Sequence, residues 1–159
     1  MKRYNFLSLL FGVILFVSCS EQSYYEKIYS FESKEWDQRV KPSFQIDIND
    51  TAAMYNFIVT LRTTTDYKYN NLWIFMNTTS PGGEKGREPF QFYITNPDGS
   101  WIGKKTGTVV EHELRFNQRK LPKKGTYKFT LEQGITASEI DEVLDIGFRV
   151  EQITNNENK

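Results

Sequence analysis

Phe44-Gln-Ile-Asp-Ile48 sets an apolar residue at every second position with a polar one between. Successive side chains of a strand point to opposite faces, so Phe44, Ile46 and Ile48 share one face and Gln45 and Asp47 the other. The same period returns down the chain. Phe57, Val59 and Leu61 alternate with Asn56, Thr60 and Arg62. Phe90, Phe92 and Ile94 alternate with Gln91, Tyr93 and Thr95. Val110, His112, Leu114 and Phe116 alternate with Glu111, Glu113 and Arg115. Tyr127, Phe129 and Leu131 alternate with Lys128, Thr130 and Glu132, and Ile146, Phe148 and Val150 with Asp145, Arg149 and Glu151. Leu72-Trp-Ile-Phe-Met76 is apolar throughout, which predicts a strand covered on both faces with Trp73 in the core.

Turn residues separate these runs. Asn49-Asp50, Ser80-Pro-Gly-Gly-Glu-Lys-Gly86, Asn96-Pro-Asp-Gly-Ser100 and Pro122-Lys-Lys-Gly125 supply the proline and glycine that reversals need. Short alternating strands at this spacing predict one all-β domain over residues 24–153, an antiparallel sandwich of immunoglobulin-like or jelly-roll type. Thr136–Val143 reads as one short helix near the C-terminus, and 154–159 as a flexible tail. Gly125-Thr-Tyr127 resembles a tyrosine corner, with the phenol bonded back to nearby backbone; Tyr127 as a plain inward residue fits equally.

The N-terminus carries a different message. Met1-Lys2-Arg3 is basic, residues 6–17 are apolar apart from Ser8 and Gly12, and Ser18-Cys19-Ser20-Glu21 turns polar at once. The run is shorter than the roughly 20 residues of a spanning helix. Residues 1–18 therefore read as a lipoprotein signal peptide and 19–23 as a tether. Cys19, the one cysteine, is the expected lipidation site, with Phe16 where leucine is commonest in such signals. Acyl chains on its sulfur would hold the domain to a membrane, each buried CH₂ contributing about 0.8 kcal/mol. Ser20 after the cysteine favours outer-membrane sorting.

Composition narrows the chemistry. Removing Lys2 and Arg3 from 20 basic residues leaves 18 against 20 acidic ones, a net charge near −2, so nucleic acid is not an expected partner. With His112 the one histidine, no zinc site is expected, and no cofactor. No Gly-x-Ser-x-Gly elbow stands near a usable base, and no phosphate loop opens a helix. Acidic residues fall mostly in turns or outward registers. A glycosidase-like pair would need two carboxyls facing each other across a cleft. The chain is expected not to be an enzyme.

Tyr and Trp beside Asn are residues typical of contact surfaces, and they also fill strand ends in any aromatic-rich sandwich. They concentrate in Tyr67-Lys-Tyr69-Asn70-Asn71 and again at Gly99-Ser-Trp101. Tyr67, Tyr69, Asn71 and Trp101 are the candidate partner-binding residues. A competing reading is a carbohydrate-binding surface lipoprotein that stacks sugars on coplanar exposed rings.

Arg62…Asp66-Tyr67-x-Tyr69-x-Asn71-Leu72-Trp73-x-Phe75, Gly99-x-Trp101-Ile102-Gly103, Gly125-x-Tyr127-x-Phe129…Glu132-Gln133 and Leu144-Asp-Ile-Gly147-x-Arg149-Val-Glu151 together resemble the gliding motility lipoprotein family GldH of Bacteroidota. The resemblance spans nearly the whole chain after Cys19. It implies a cell-envelope lipoprotein of the gliding apparatus. Its partners would be other gliding or secretion machinery proteins in a complex linked to type IX secretion, and it implies no enzymatic activity. Labelled palmitate fed to expressing cells should enter the wild-type protein and be absent from Cys19→Ala.

Overall fold

A computed structural model describes residues 24–153. The expected signal peptide, Cys19, the expected tether through residue 23 and the expected tail from 154 lie outside the described residues. The strands are β1 Tyr25–Ser30, β2 Glu35–Asp37, β3 Ser43–Ile48, β4 Met54–Thr64, β5 Asn71–Thr79, β6 Lys85–Tyr93, β7 Lys104–Thr106, β8 Val109–Lys120, β9 Gly125–Gln133, β10 Glu139–Asp141 and β11 Val143–Ile153. One sheet runs β1-β11-β4-β8-β7, a second runs β3-β9-β5-β6, and β10 pairs with β2 in a small third sheet. Every pairing is antiparallel.

The alternating residues bury one face of each large sheet against the other. Phe44, Ile46 and Ile48 of β3, Tyr127, Phe129 and Leu131 of β9, and Leu72, Ile74 and Met76 of β5 enter one core with Phe57, Val59 and Leu61 of β4 and Ile146, Phe148 and Val150 of β11. Phe148 is the junction. Its ring lies 5.3 Å from Phe44, 5.0 Å from Phe129 and 6.0 Å from Phe57, so aromatic contacts cross between the sheets. Such pairs add about 0.5–1.5 kcal/mol each beyond area burial. Leu114 and Phe116 lie in the inward register but stay half-buried. They sit where β8 runs past the end of β7 and the sandwich is open at its side.

Strand direction gives the body two poles. β11 runs from Val143 to Ile153 beside β4 from Thr63 back to Met54, and β8 ends at Lys120 opposite Met54. Ile48 pairs with Gly125, and Thr79 pairs with both Lys85 and Lys128. The start of β1, the β3–β4, β5–β6 and β8–β9 connections and the end of β11 therefore gather at one pole, here called the base. The β4–β5, β6–β7 and β9–β10 connections gather at the other. At about 3.4 Å per residue, the eleven residues of β4 separate the poles by roughly 35 Å.

The short helix expected over Thr136–Val143 does not form. Glu139–Asp141 is extended and pairs with Asp37–Glu35, Ile140 facing Trp36. Ile140 and Trp36 are fully buried, and Trp36 stacks on Phe31 at 5.1 Å while its indole N–H donates to the Val40 carbonyl at 2.9 Å. A single apolar anchor between polar residues buries equally well from a strand. Glu142, at φ 63°, then turns the chain into β11 in a conformation no helix continues. The expectation for β5 also needs correction. Leu72, Ile74 and Met76 face the core, but Trp73 points outward, because among the described residues no second sheet covers the far side. Tyr127 makes the corner contact: its phenol oxygen accepts the Lys123 backbone N–H at 3.1 Å.

Phe148→Ala should destabilise the fold by about 3–5 kcal/mol in a denaturant titration, as a buried aromatic that leaves a cavity between two sheets. Tyr127→Phe should cost about 1 kcal/mol, the worth of one hydrogen bond.

Candidate functional site

The pole opposite the base carries the aromatic segments singled out in the sequence, and the structure sorts them into exposed and buried. Tyr67 is 6 % exposed. Its hydroxyl donates to the Asn71 carbonyl at 3.2 Å, and burial, then its neighbour Tyr69, pushes its pKa above the ordinary tyrosine value. It is buried and braces the turn. Tyr69 stands on it edge-on, ring centroids 5.7 Å apart, and is 52 % exposed. Trp101 is half-buried, bridged through its backbone to Thr95 and packed against the core. Asn71 is half-exposed, on the outer face of β5.

Two further residues join this surface. Trp73 is 43 % and Tyr93 62 % exposed. Asn71 and Trp73 project from the same face of β5, and Tyr93 stands directly across from Asn71 in the β5–β6 register. Ile102, also exposed, lines the same shallow cavity of about 380 Å³ as Tyr93, Asn71 and Pro97. Tyr93 and Ile102 also border a second cavity of about 550 Å³ between β6 and β8, which reaches His112 and Leu114. The patch is thus Tyr69, Asn71, Trp73, Tyr93 and Ile102, with Tyr67 and Trp101 beneath or beside it. Tyr93 was legible as an outward residue of its strand. Trp73 was hidden by the unbroken apolar run, although Leu72, Ile74 and Met76 keep the alternating phase that would have placed it outside.

Phe75, the next outward aromatic on β5, is closed off. The Arg87 guanidinium lies 4.0 Å over its ring and also reaches Asn77 at 2.9 Å and Glu132 at 2.6 Å. Gly134 lies against the other side: a β-carbon there would meet the Phe75 ring at 3.0 Å and the Trp73 carbonyl at 3.1 Å. The Gly134 N–H donates to that carbonyl at 2.7 Å, so the backbone is drawn in beneath Trp73 and holds it outward.

The loop that presents Trp101 and Ile102 is tied at both ends. Ile102 N–H donates to the Ile94 carbonyl at 2.9 Å, and Ile94 N–H to the Asn70 carbonyl at 2.8 Å. At Gly103, φ 125°, a β-carbon would fall 2.2 Å from the Glu111 carbonyl, so only glycine fits. His112 secures the loop from below. Its Nδ1–H donates to the Ile102 carbonyl, leaving Nε2 to accept from the Thr63 hydroxyl at 3.3 Å. Burial lowers the His112 pKa, opposed by the Ile102 contact.

Four strand carboxylates are engaged in ion pairs. Asp145 is held by Arg62 through two nitrogens, at 2.8 and 2.5 Å. Glu113 meets Arg149 at 3.3 Å, Glu151 meets Arg115 at 2.8 Å, and Glu132 meets Arg87 and Lys41. Among the described residues, no group of three or more His, Cys, Asp or Glu is placed to hold a metal ion.

The molecule is therefore a two-sheet β-sandwich that displays a mixed aromatic and aliphatic patch at one pole. The GldH lipoprotein family model matches residues 23–150, and the chain belongs to that family. It is 27 % identical to the gliding motility lipoprotein GldH homolog of Christiangramia forsetii, over 97 % of this chain and 99 % of that one. It is 26 % identical to the gliding motility lipoprotein GldH of Flavobacterium johnsoniae, over 96 % and 99 %. Among solved structures, a chain from the infectious bursal disease virus Gx strain aligns at a TM-score of 0.36 and 9 % identity, covering 85 % of this chain and 33 % of the viral one.

The histidine gives a pH signature. Because its folded pKa lies below the ordinary 6.5, the unfolded chain takes up the proton first as pH falls. The stability that neutral His112 contributes is complete above 6.5 and is lost as pH drops from there toward the folded value. His112→Gln should flatten that part of a melting-temperature profile between pH 7 and pH 5, relative to wild type.

Proposed function

We propose that this protein is a cell-envelope lipoprotein of the bacterial gliding-motility apparatus. Acyl chains on Cys19 hold it to the outer membrane, and it acts by protein–protein contacts in a complex linked to type IX secretion. The observation that carries this reading is end-to-end similarity: both relatives named as gliding motility lipoproteins align over almost their full length and almost all of this chain. The similarity runs across the whole β domain, so the proposed role rests on the molecule as a unit and not on one motif.

The distal patch is the proposed contact. It combines tyrosine, tryptophan, asparagine and isoleucine, a composition suited to a desolvated protein interface with a polar border. The patch mixes its exposed rings with aliphatic Ile102 and with Asn71, the mixed composition that favours a protein partner over a sugar-stacking platform. Carboxylates neutralised by arginine partners likewise support a binding role over hydrolysis.

In a gliding host, loss of the gene should stop colony spreading, and the wild-type gene should restore it. Tyr69→Ala combined with Trp73→Ala should be made at normal levels, fail to restore spreading, and lose motility or secretion proteins from crosslinked membrane pull-downs. Recovery of the same partners by that double variant would remove the patch from the interface.

A further inference from the structure

We propose that the base of the sandwich is a docking face for anionic phospholipid, so that the domain stands upright on the membrane. This rests on the reading of Cys19 as the anchor, and the structure adds where that anchor leaves the body. Tyr24, the first described residue, donates its hydroxyl to the Asp47 carbonyl at 2.6 Å and sets its ring 5.6 Å from Tyr55. Asp47 pairs in register with Thr126, two residues past Lys124. The chain thus enters at the base, beside the β8–β9 connection. From Cys19 to Tyr24 is five residues, at most about 18 Å of extended chain. Lipid on Cys19 keeps the base, and not the distal pole, within that reach of the bilayer.

The charge at the base suits such a surface. Arg119-Lys120-Leu121-Pro122-Lys123-Lys124 holds four basic residues and no acidic one. The acids nearby are already engaged. Glu88 pairs with Arg119 at 3.0 Å and Glu84 pairs with Lys123. Asp50 accepts the backbone N–H of Ala52 at 2.8 Å, and Asp47 accepts the Thr126 hydroxyl at 2.5 Å. Lys85, Lys120 and Lys124 are exposed and form no ion pair among the described residues. Asp47 and Asp50 keep their charge, so Lys85, Arg119, Lys120, Lys123 and Lys124 stand against Glu84, Glu88, Asp47 and Asp50, and the positive charge is concentrated on the β8–β9 turn nearest the anchor. Each lysine close to an anionic leaflet adds about a fivefold gain in membrane affinity at ordinary salt.

The base also offers an apolar recess. A cleft of about 330 Å³ opens between the lower ends of β6 and β8, walled by Phe57, Phe116 and Phe129, with Lys85 and Lys120 at its rim beside Glu84 and Glu88, the two acids paired with Lys123 and Arg119. Exposed Met54 lies on the same pole. Phosphate oxygens on the two lysines would set an acyl segment against the phenylalanines. A protein partner would have to share this pole with the bilayer to which the tether confines it, so lipid is the occupant that the anchor geometry favours.

The test uses the mature chain from residue 19 carrying Cys19→Ala, so attachment by lipidation cannot contribute. It should float with vesicles containing phosphatidylglycerol, be released at molar salt, where the screening length falls to about 3 Å, and not float with pure phosphatidylcholine. Lys120→Glu combined with Lys124→Glu should lower the vesicle partition coefficient roughly 30-fold or more without moving the melting temperature. Lys104→Glu combined with Lys105→Glu, the same charge change at the distal pole, should leave it unaltered. Equal partition of all three proteins, or equal binding to phosphatidylcholine, overturns the proposal. Palmitate labelling tests the anchor separately: labelled wild type without vesicle binding by the Cys19→Ala chain sinks the docking face alone.

Discussion

The contact of Phe148 with Phe44, Phe57 and Phe129 is the constraint on which the rest of the molecule hangs. The chain has Cys19 as its one cysteine, so no internal disulfide can staple the two sheets. They hold because inward side chains of β4 and β11 interlock with those of β3 and β9, and the four phenylalanines supply much of that area per residue. Phe44 and Phe129 also face each other across the β3–β9 register, and Phe57 and Val150 across β4–β11, so each ring is fixed by a ladder as well as by its stack. A register slip of one residue would send these rings outward and bring Gln45, Lys128 and Arg149 inward. The register is thereby specified, and so is which connections end at which pole.

Polarity then follows from counting strands. The tether leads into the base, and a body roughly 35 Å tall lifts Tyr69, Trp73 and Tyr93 to the far end. The small sheet of β2 and β10 plugs that end with Trp36 and Ile140, so the distal loops rest on packed core. His112 and Gly103 fix the Trp101–Ile102 loop to β8 from below. A surface held this firmly loses little freedom on meeting a partner, which favours affinity from a modest patch.

Alternation made most of this legible in the sequence. Phe44, Ile46 and Ile48, or Tyr127, Phe129 and Leu131, could be assigned to the core because polar residues between them marked the other face. The method failed where the alternation was masked. In Leu72–Met76 both faces are apolar, and the sequence does not say that the outer face of that sheet lies bare. In Thr136–Val143 one buried isoleucine among polar residues fits either period, and pairing with Trp36, about a hundred residues earlier, decided for a strand. Of the candidate site, Tyr69 and Asn71 lie on the patch and Tyr67 lies under it. That distinction depends on which way a turn closes, which composition cannot reveal.

The same sheet and open side leave edge strands available to other chains. Exposed edge strands template association unless something blunts them. β6, the edge of the second sheet, carries Pro89, which has no N–H to donate, within Lys85-Gly-Arg-Glu-Pro89. The free length of β8 presents Arg115, Arg119 and Lys120, and Gln118 sits at φ 55°, where its N–H turns to the Asn56 side chain at 3.1 Å. That break coincides with the shift in β4–β8 register between Tyr55 and Phe57, so the ladder is interrupted where an intruding strand would begin to pair. β3 is shielded at its base end by Tyr24 on the Asp47 carbonyl. β6, β8 and β3 are thus each blunted against edge pairing, while Tyr69, Trp73, Tyr93 and Ile102 lie exposed at the distal pole.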